Sequence, residues 1–488
     1  MTDQRNSYQD RNNSSRGDRR GGGNSNRDER GGDRRSSGGD RGKQDAGNFR
    51  GRKQFTGGGQ GGGDDRQQVI TPRRGAFYLL EAVLVDKRPL DFTEHNILKQ
   101  VNQRDRGLTR MIAYTALRHN SILDAMIDHF VDDEIGTPQV RIFLKVGMTQ
   151  ILFMETADHA AVNETLNAVF GKSEPSKGMM NAIFRRTIAE GKAFIDGHTD
   201  LVAVPKFLWK SWVTAYGEKT SRLILEAHES IAPIDLSVKS DPELWAEKLD
   251  GMVLPSGGIR IGNPGKITNL EGYDEGDWWV QDFAAQIPVT LFGDDLTGQT
   301  IIDLCAAPGG KTAQLLARGA KVIAVDHNEY RLQRLHENMA RLNLTENLEV
   351  VISDAVKYKP DALVDGVLLD APCSATGTIR KHPDLPFLKD TDLIRSVAKL
   401  QLHMLAKAGE MLKPGGTLVF ATCSMQPEEG EHHLLNVPEN LKRKAIRRRE
   451  VEGMHQILTP KGVIRTLPHM FSEEGGMDGF FIARFEKV

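Results

Sequence analysis

Cysteine is scarce in this chain, with three in 488 residues. Three cannot form a disulfide framework, and their spacing is not that of a zinc site. A reducing compartment and a fold without metal are therefore expected. Long apolar runs are missing too. No stretch reaches the roughly 20 residues needed to cross a bilayer, and the opening MTDQRNSYQDRNN has no apolar signal segment. A soluble, cytoplasmic protein with no membrane partner is expected. Excess charge of one sign is also lacking, because 64 Lys and Arg nearly balance 66 Asp and Glu. That balance hides an asymmetry. Residues 1–68 hold 15 Lys and Arg against 10 Asp and Glu, a basic tail on a body of about −7.

Those 68 residues contain 17 glycines and almost no core-forming side chains. Such a segment cannot bury enough apolar area to offset its ordering entropy, so disorder is expected. Its Arg-Gly-Gly pieces at 20–22 and 30–32 suit a salt-sensitive RNA tether, and its aspartates suit a solubilising tail equally well. From Thr71 to about Gly191, apolar residues recur at i, i+3, i+4 and i+7, which predicts an all-α domain. It shows no catalytic constellation: His119 and His159 stand alone, and Asn163 and Asn181 read as residues that cap or tie helices. Pro205 to Ser230 reads as a helical connector, and Asp235 to Asp277 as a small α+β module broken by Gly and Pro. From Trp278 onward strand and helix patterns alternate, which argues for a parallel α/β sheet.

TIIDLCAAPGGKTAQLL, Thr300 to Leu316, reads as strand, tight turn and helix. Its glycines let the backbone approach a ligand, and the helix N-terminus offers free amide donors. The spacing is neither that of a P-loop nor that of a dinucleotide GxGxxG. Asp326, Asp354 and Asp370 close the next three predicted strands. A lone aspartate there would only cap a helix. Three in order after a glycine turn instead outline a crevice for a nucleoside cofactor. An acid at the second strand end is placed to accept from ribose hydroxyls. The missing pyrophosphate fingerprint favours S-adenosyl-L-methionine over NAD.

Two of the three cysteines follow strands as well, in DAPCSATG (Asp370 to Gly377) and ATCS (Ala421 to Ser424). A pair of thiols at strand exits suggests one nucleophile and one assistant, though the residues alone do not rank Cys373 against Cys423. Cys305 reads as a packing residue lining the cofactor turn. Arg380, Lys381 and His382 could hold a target strand or form a solvated basic turn. KRKAIRRR, Lys442 to Arg449, could bind phosphate.

LCAAPGGKT, DAPCSATG followed by IRKHPD, and ATCSMQPEE resemble the bacterial Sun/Fmu-type ribosomal RNA cytosine-5 methyltransferases. HAAVNETL (His159 to Leu166) and MMNAIFRR (Met179 to Arg186) are similar to pieces of the NusB-type RNA-binding domain that precedes the catalytic domain in these enzymes. The resemblance implies Cys423 as nucleophile, Cys373 in product release and Asp370 at the base ring. It also implies a cofactor site made of Cys305, Ala306, Ala307, Pro308, Gly309, Gly310, Lys311, Asp326, Asp354 and Asp370. The implied partner is RNA, most of all small-subunit ribosomal RNA, with transfer RNA modified by some relatives; a monomer is expected. Where the family commonly reads Leu-Arg-Val-Asn, this chain has Leu236-Ser237-Val238-Lys239. The expected fold is multidomain: a disordered Gly/Arg tail (1–70), an all-α NusB-like domain (71–200), a helical connector with a small α+β module (201–277) and a Rossmann-like α/β methyltransferase domain (278–488).

Overall fold

The computed structural model describes residues 69–131, 135–262 and 264–488. The Gly/Arg segment, with the tether reading placed on it, lies outside the described residues.

Seven helices form the first domain: α1 (Pro72–Leu84), α2 (Leu90–Lys99), α3 (Arg106–Arg118), α4 (Asn120–Phe130), α5 (Pro138–Phe153), α6 (Asp158–Ala168) and α7 (Lys177–Asp196). Thr71 starts α1 by accepting from the Arg74 N–H, with Pro72 just inside the first turn. Helix α5 is buried on nearly every side and forms the domain's centre. The Phe143 ring stacks on Phe77 of α1 at 4.3 Å. At Gly147 a Cβ would fall 2.3 Å from the Phe184 ring, so α5 and α7 approach closely only because that residue is glycine. Asn163 and Asn181 sit inside α6 and α7, not at their ends, and so cap nothing. His119 stacks on Phe153 at 3.8 Å, and burial lowers its pKa to about 4. It is a neutral packing residue.

The connector is two helices, α8 (Lys206–Tyr216) and α9 (Glu218–Glu229), bent at Gly217 with φ of 80°. It is not a free linker. Trp212 is fully buried in a cluster with Ile379, Met425 and Leu467 from the last domain. Tyr216 also donates to the Met425 carbonyl at 2.5 Å.

The small module carries β1 (Ile234–Val238), α10 (Pro242–Lys248), β2 (Gly251–Val253), β3 (Ile259–Ile261) and β4 (Trp278–Val280), in an antiparallel sheet of order β2-β3-β1-β4. Trp278–Val280, where the sequence pattern turns to strand-helix alternation, therefore belongs to this small sheet.

The last domain holds α11 (Phe283–Thr290), β5 (Thr300–Leu304), α12 (Gly310–Ala317), β6 (Lys321–Asp326), α13 (Glu329–Arg341), β7 (Leu348–Ile352) and β8 (Val364–Asp370). It continues with α14 (Leu385–Leu388), α15 (Thr391–Glu410), β9 (Leu412–Thr422), β10 (Leu441–Arg443), β11 (Ile464–Arg465) and β12 (Phe481–Lys487). The strand order is β10-β12-β9-β8-β5-β6-β7, with β11 also paired to β12. Strands β5 to β9 run parallel, and β12 closes antiparallel on β9. The order reverses between β5 and β8, and open α/β sheets bind ligands in the crevice at such a switch point. The glycine turn leaves β5 there, and Asp370 ends β8.

Candidate active site

Beyond β5 the chain turns sharply, with Cys305 at φ 63° and Gly309 at φ 103°. Ala306 N–H bonds to Val325 O at 3.2 Å, tying the turn to β6. Helix α13 holds the outer side: Arg331 donates to Ala307 O, and Asn338 donates to Pro308 O at 2.9 Å. The N–H groups of Gly310, Lys311 and Thr312 open α12 and have no partner within it. The turn is thus pre-shaped by its neighbours. Burial pushes the Cys305 thiol up, which fits an inert packing residue.

Asp326 ends β6 with its carboxylate buried. Oδ2 accepts from Ala307 N–H at 3.2 Å and Oδ1 from Asn328 N–H at 3.0 Å, so it locks the glycine turn to the β6 exit. Asp354 is exposed, and its Oδ1 caps the turn after β7 through Val356 N–H at 2.9 Å. Exposed Tyr330 and Ile352 line an open cleft of about 590 Å³ on this side of the sheet. Asp303, which sequence analysis did not single out, is buried on β5. Its Oδ2 accepts from Thr312 Oγ1 at 2.6 Å, while Oδ1 has no partner. Burial drives its pKa up to about 7. The only sequence signal for it was a carboxylate inside the apolar run TIIDL.

Lys311 turns inward from the start of α12 and its Nζ meets Asp370 Oδ2 at 2.8 Å. Burial works against the ammonium, but the charge and hydrogen bond of Asp370 outweigh it and hold the lysine pKa above its usual value. Lys311 also lies 5.3 Å from the centre of the Phe480 ring. The pair closes the β8 exit. Beside it, Asp370 is level with Ala421 of β9 in the parallel register, which brings the two cysteine turns together.

Cys373 Sγ and Cys423 Sγ are 3.3 Å apart. Contact with Cys423 and burial push the Cys373 thiol well above its ordinary value, and the Glu429 carboxylate adds to the shift. The two turns interlock. Gly377 N–H bonds to Cys423 O at 3.0 Å, and Met425 N–H bonds to Thr376 Oγ1 at 3.1 Å. A Cβ on Gly377 would lie 1.8 Å from Gly479 O, so only glycine lets the irregular segment just before β12 close over them.

In the turn carrying Arg380, Lys381 and His382, the first two side chains are engaged within the protein and His382 is partly exposed. Arg380 is 1% exposed and donates to Gly475 O. Lys381 is held between Asp282 and Asp478. Arg118 of α3 donates to Arg380 O at 3.0 Å. That carbonyl ties the turn to the helical domain, whereas the Arg380 and Lys381 side chains find their partners at Gly475, Asp282 and Asp478. The basic run from Lys442 to Arg449 lies on edge strand β10 and the turn after it. All six cations are exposed, and among them Lys444 is paired, with Glu486 at 2.7 Å. Among the described residues, no cluster of three His, Cys, Asp or Glu side chains could hold a metal, and no helix is long and apolar enough to cross a membrane.

Comparison with known proteins agrees with this layout. The model of the 16S rRNA methyltransferase RsmB/F family matches residues 294–486, and that of the NusB family matches 71–189. The ribosomal RNA small subunit methyltransferase B of Pseudomonas syringae pv. tomato is 33% identical over 445 residues, spanning 86% of this chain and 97% of that one. Its namesake in Vibrio cholerae is 35% identical over 354 residues, spanning 68% and 80%. Among solved structures, PH0851 shares the fold with a TM-score of 0.65 at 24% identity, over 86% of this chain and all of that one.

Proposed function

The chain belongs to the RsmB/F family of 16S rRNA methyltransferases and carries a NusB family domain, and from that premise we propose that it methylates carbon 5 of a cytidine in small-subunit ribosomal RNA through a cysteine adduct, with S-adenosylmethionine as donor. The observation that carries this proposal is the 3.3 Å contact of Cys373 and Cys423 beside the Lys311–Asp370 pair. Methylation on an exocyclic nitrogen or a ribose hydroxyl has no use for two thiols.

The residues suit the donor. Asp303 Oδ1 is a buried acceptor without a partner, next to the free N–H groups that open α12. Together they offer, once Asp303 has given up the proton that burial favours, an acceptor for an α-ammonium and donors for a carboxylate. Asp326 retains lone pairs for ribose hydroxyls. Asp354, Tyr330 and Ile352 would flank an adenine. When bound, the donor supplies an electrophilic methyl group.

Carbon 5 of cytosine is a poor nucleophile and needs temporary activation. The Cys423 thiolate adds to carbon 6, and the electron pair displaced from the ring collects at nitrogen 3 and carbon 5. The Lys311–Asp370 pair shares a proton with nitrogen 3 and absorbs the developing charge. Carbon 5 then takes the methyl group. Cys373, a protonated thiol at rest, first loses its proton to water and then, as thiolate, takes the proton from carbon 5, while the proton shared with nitrogen 3 returns to the Lys311–Asp370 pair. The carbon 6–sulfur bond breaks and Cys423 leaves as thiolate. The helical domain (71–200) and the exposed cations between Lys442 and Arg449 would hold the RNA.

Small-subunit RNA is incubated with the protein and labelled S-adenosylmethionine, then digested to nucleosides. Label in 5-methylcytidine is the expected result. Label on any other nucleoside position, or none on RNA, would overturn the proposal.

A further inference from the structure

Behind the two thiols sits a carboxylate that takes no part in the steps above. Glu429 is fully buried. Its Oε2 accepts from Ser374 N–H at 2.7 Å and from Gln401 Nε2 at 3.2 Å. Its Oε1 accepts from Ser374 Oγ and from Ser424 Oγ, the latter at 2.9 Å. Ser374 follows Cys373 and Ser424 follows Cys423, so one carboxylate grips the residue after each thiol. The grip is anchored on a third element. Gln401 of α15 donates to Pro372 O at 2.8 Å, just before Cys373, and its Oε1 accepts from His433 Nε2 at 2.8 Å. Burial lowers the His433 pKa to about 4, so the ring is neutral, and the Nε2–H tautomer satisfies Gln401. Thr422 Oγ1 donates to the Glu429 carbonyl at 3.0 Å, pinning the end of β9 to the same residue.

An unpaired carboxylate in an apolar interior is costly, and it persists where several donors converge on it. Four donors converge here, and all but Gln401 come from the cysteine-bearing turns. We propose that Glu429 is a positioning residue: it clasps the turns after Cys373 and Cys423 and fixes the distance between the two thiols. The clasp rests on the reading of the thiols given above and extends it. Thiol addition at carbon 6 and proton removal at carbon 5 act on adjacent atoms of one ring. They need two sulfurs held at a set spacing, and the strands alone do not set the conformation of the turns that follow them.

Two substitutions separate spacing from mere stability. In Glu429→Gln one oxygen still accepts from Ser374 N–H and Gln401, while the amide NH₂ faces two hydroxyls that can rotate to accept. Glu429→Ala leaves those donors without a partner. Phenylarsine oxide, a trivalent arsenical that bridges two nearby thiols, reads the spacing without RNA. Wild type should bind one equivalent, and both Cys373→Ala and Cys423→Ala should bind none tightly, which assigns capture to the pair. Glu429→Ala should lose capture while both thiols still react with a monofunctional maleimide. A misplacement of this kind lowers kcat by about a hundredfold. Calorimetry of cofactor binding should stay within about threefold, as for independent sites. Glu429→Gln should recover capture and turnover to within about tenfold of wild type, since most of the hydrogen bonds survive.

Unchanged arsenical capture in Glu429→Ala would overturn the proposal. So would lost capture with turnover near wild type, or cofactor affinity falling in step with turnover. A wild-type protein that captures the arsenical yet forms no 5-methylcytidine would sink the functional reading and leave the spacing role standing.

Discussion

The carboxylate of Asp384 accepts from the backbone N–H of Leu90 at 3.0 Å, across 294 residues of sequence, with both groups buried. Leu90 opens α2, whose own flanking residue, Pro89, makes no side-chain cap. The turn after the Cys373 loop therefore caps a helix of the NusB family domain. Phe387 and Leu388 beside it pack into that domain's core. Helical and catalytic domains are joined through the very segment that follows one of the thiols.

Asp384→Ala should loosen that joint. A buried N–H left without a partner costs about 1–3 kcal/mol, and the favourable meeting of a carboxylate with a helix N-terminus is lost too. Scanning calorimetry should show a lower unfolding temperature for the helical domain, with cofactor affinity unchanged. An unaltered thermogram would mean the contact contributes nothing to docking.

Asp326→Ala should weaken S-adenosylmethionine binding. Charge-assisted bonds are worth roughly 1.5–3 kcal/mol each, so a loss of about tenfold or more is expected. The same substitution frees Ala307 N–H, which the carboxylate now holds at 3.2 Å. Asp326→Asn should lie between the two if its side-chain oxygen keeps that bond. Titration calorimetry with equal affinities for all three would refute a ribose role.

Asp303 predicts a pH effect. Its folded pKa of about 7 lies above the unfolded value near 3.9, so the native state holds the proton more tightly. Its contribution is complete below pH about 4 and is lost as pH rises through about 7. Asp303→Asn should remove that slope, so the mutant should gain on wild type between pH 5 and 8 in denaturant titrations. A constant difference across that range would show that the carboxyl is not protonated in the fold.

Periodicity made the helices of 71–196 and the alternating strands legible, because burial on one face or at a sheet centre imposes its own spacing. The same logic placed the glycine turn, Asp326, Asp370 and both cysteines at strand ends, since each follows an apolar run. What stayed hidden depends on contacts distant in sequence. Glu429 stands in ATCSMQPEE, in plain view, yet nothing local says that its carboxylate closes on Ser374. Arg380 and Lys381 look like a solvated basic turn until Asp282 and Asp478 are seen around the lysine. Strand Trp278–Val280 has the same pattern whichever sheet takes it, and only pairing with β1 decides.

The sharpest test separates the two thiols, which sit 3.3 Å apart and could exchange roles. If Cys423 attacks carbon 6, Cys423→Ala should abolish methyl transfer and leave cofactor affinity within about threefold, because the thiol acts on the base. Cys373→Ala should still add and methylate, but no base remains to take the proton from carbon 5. The adduct then persists. A ribonuclease-sensitive band of retarded mobility should appear in a denaturing gel for Cys373→Ala and be absent from the double substitution. Raising the pH should not clear that band, since the missing group is the side chain itself. If Cys423→Ala is the variant that accumulates the adduct, Cys373 is the nucleophile and the assignments exchange. If neither variant traps RNA while wild type still makes 5-methylcytidine, addition by a cysteine is not part of the path. The contact between the sulfurs would then need another explanation.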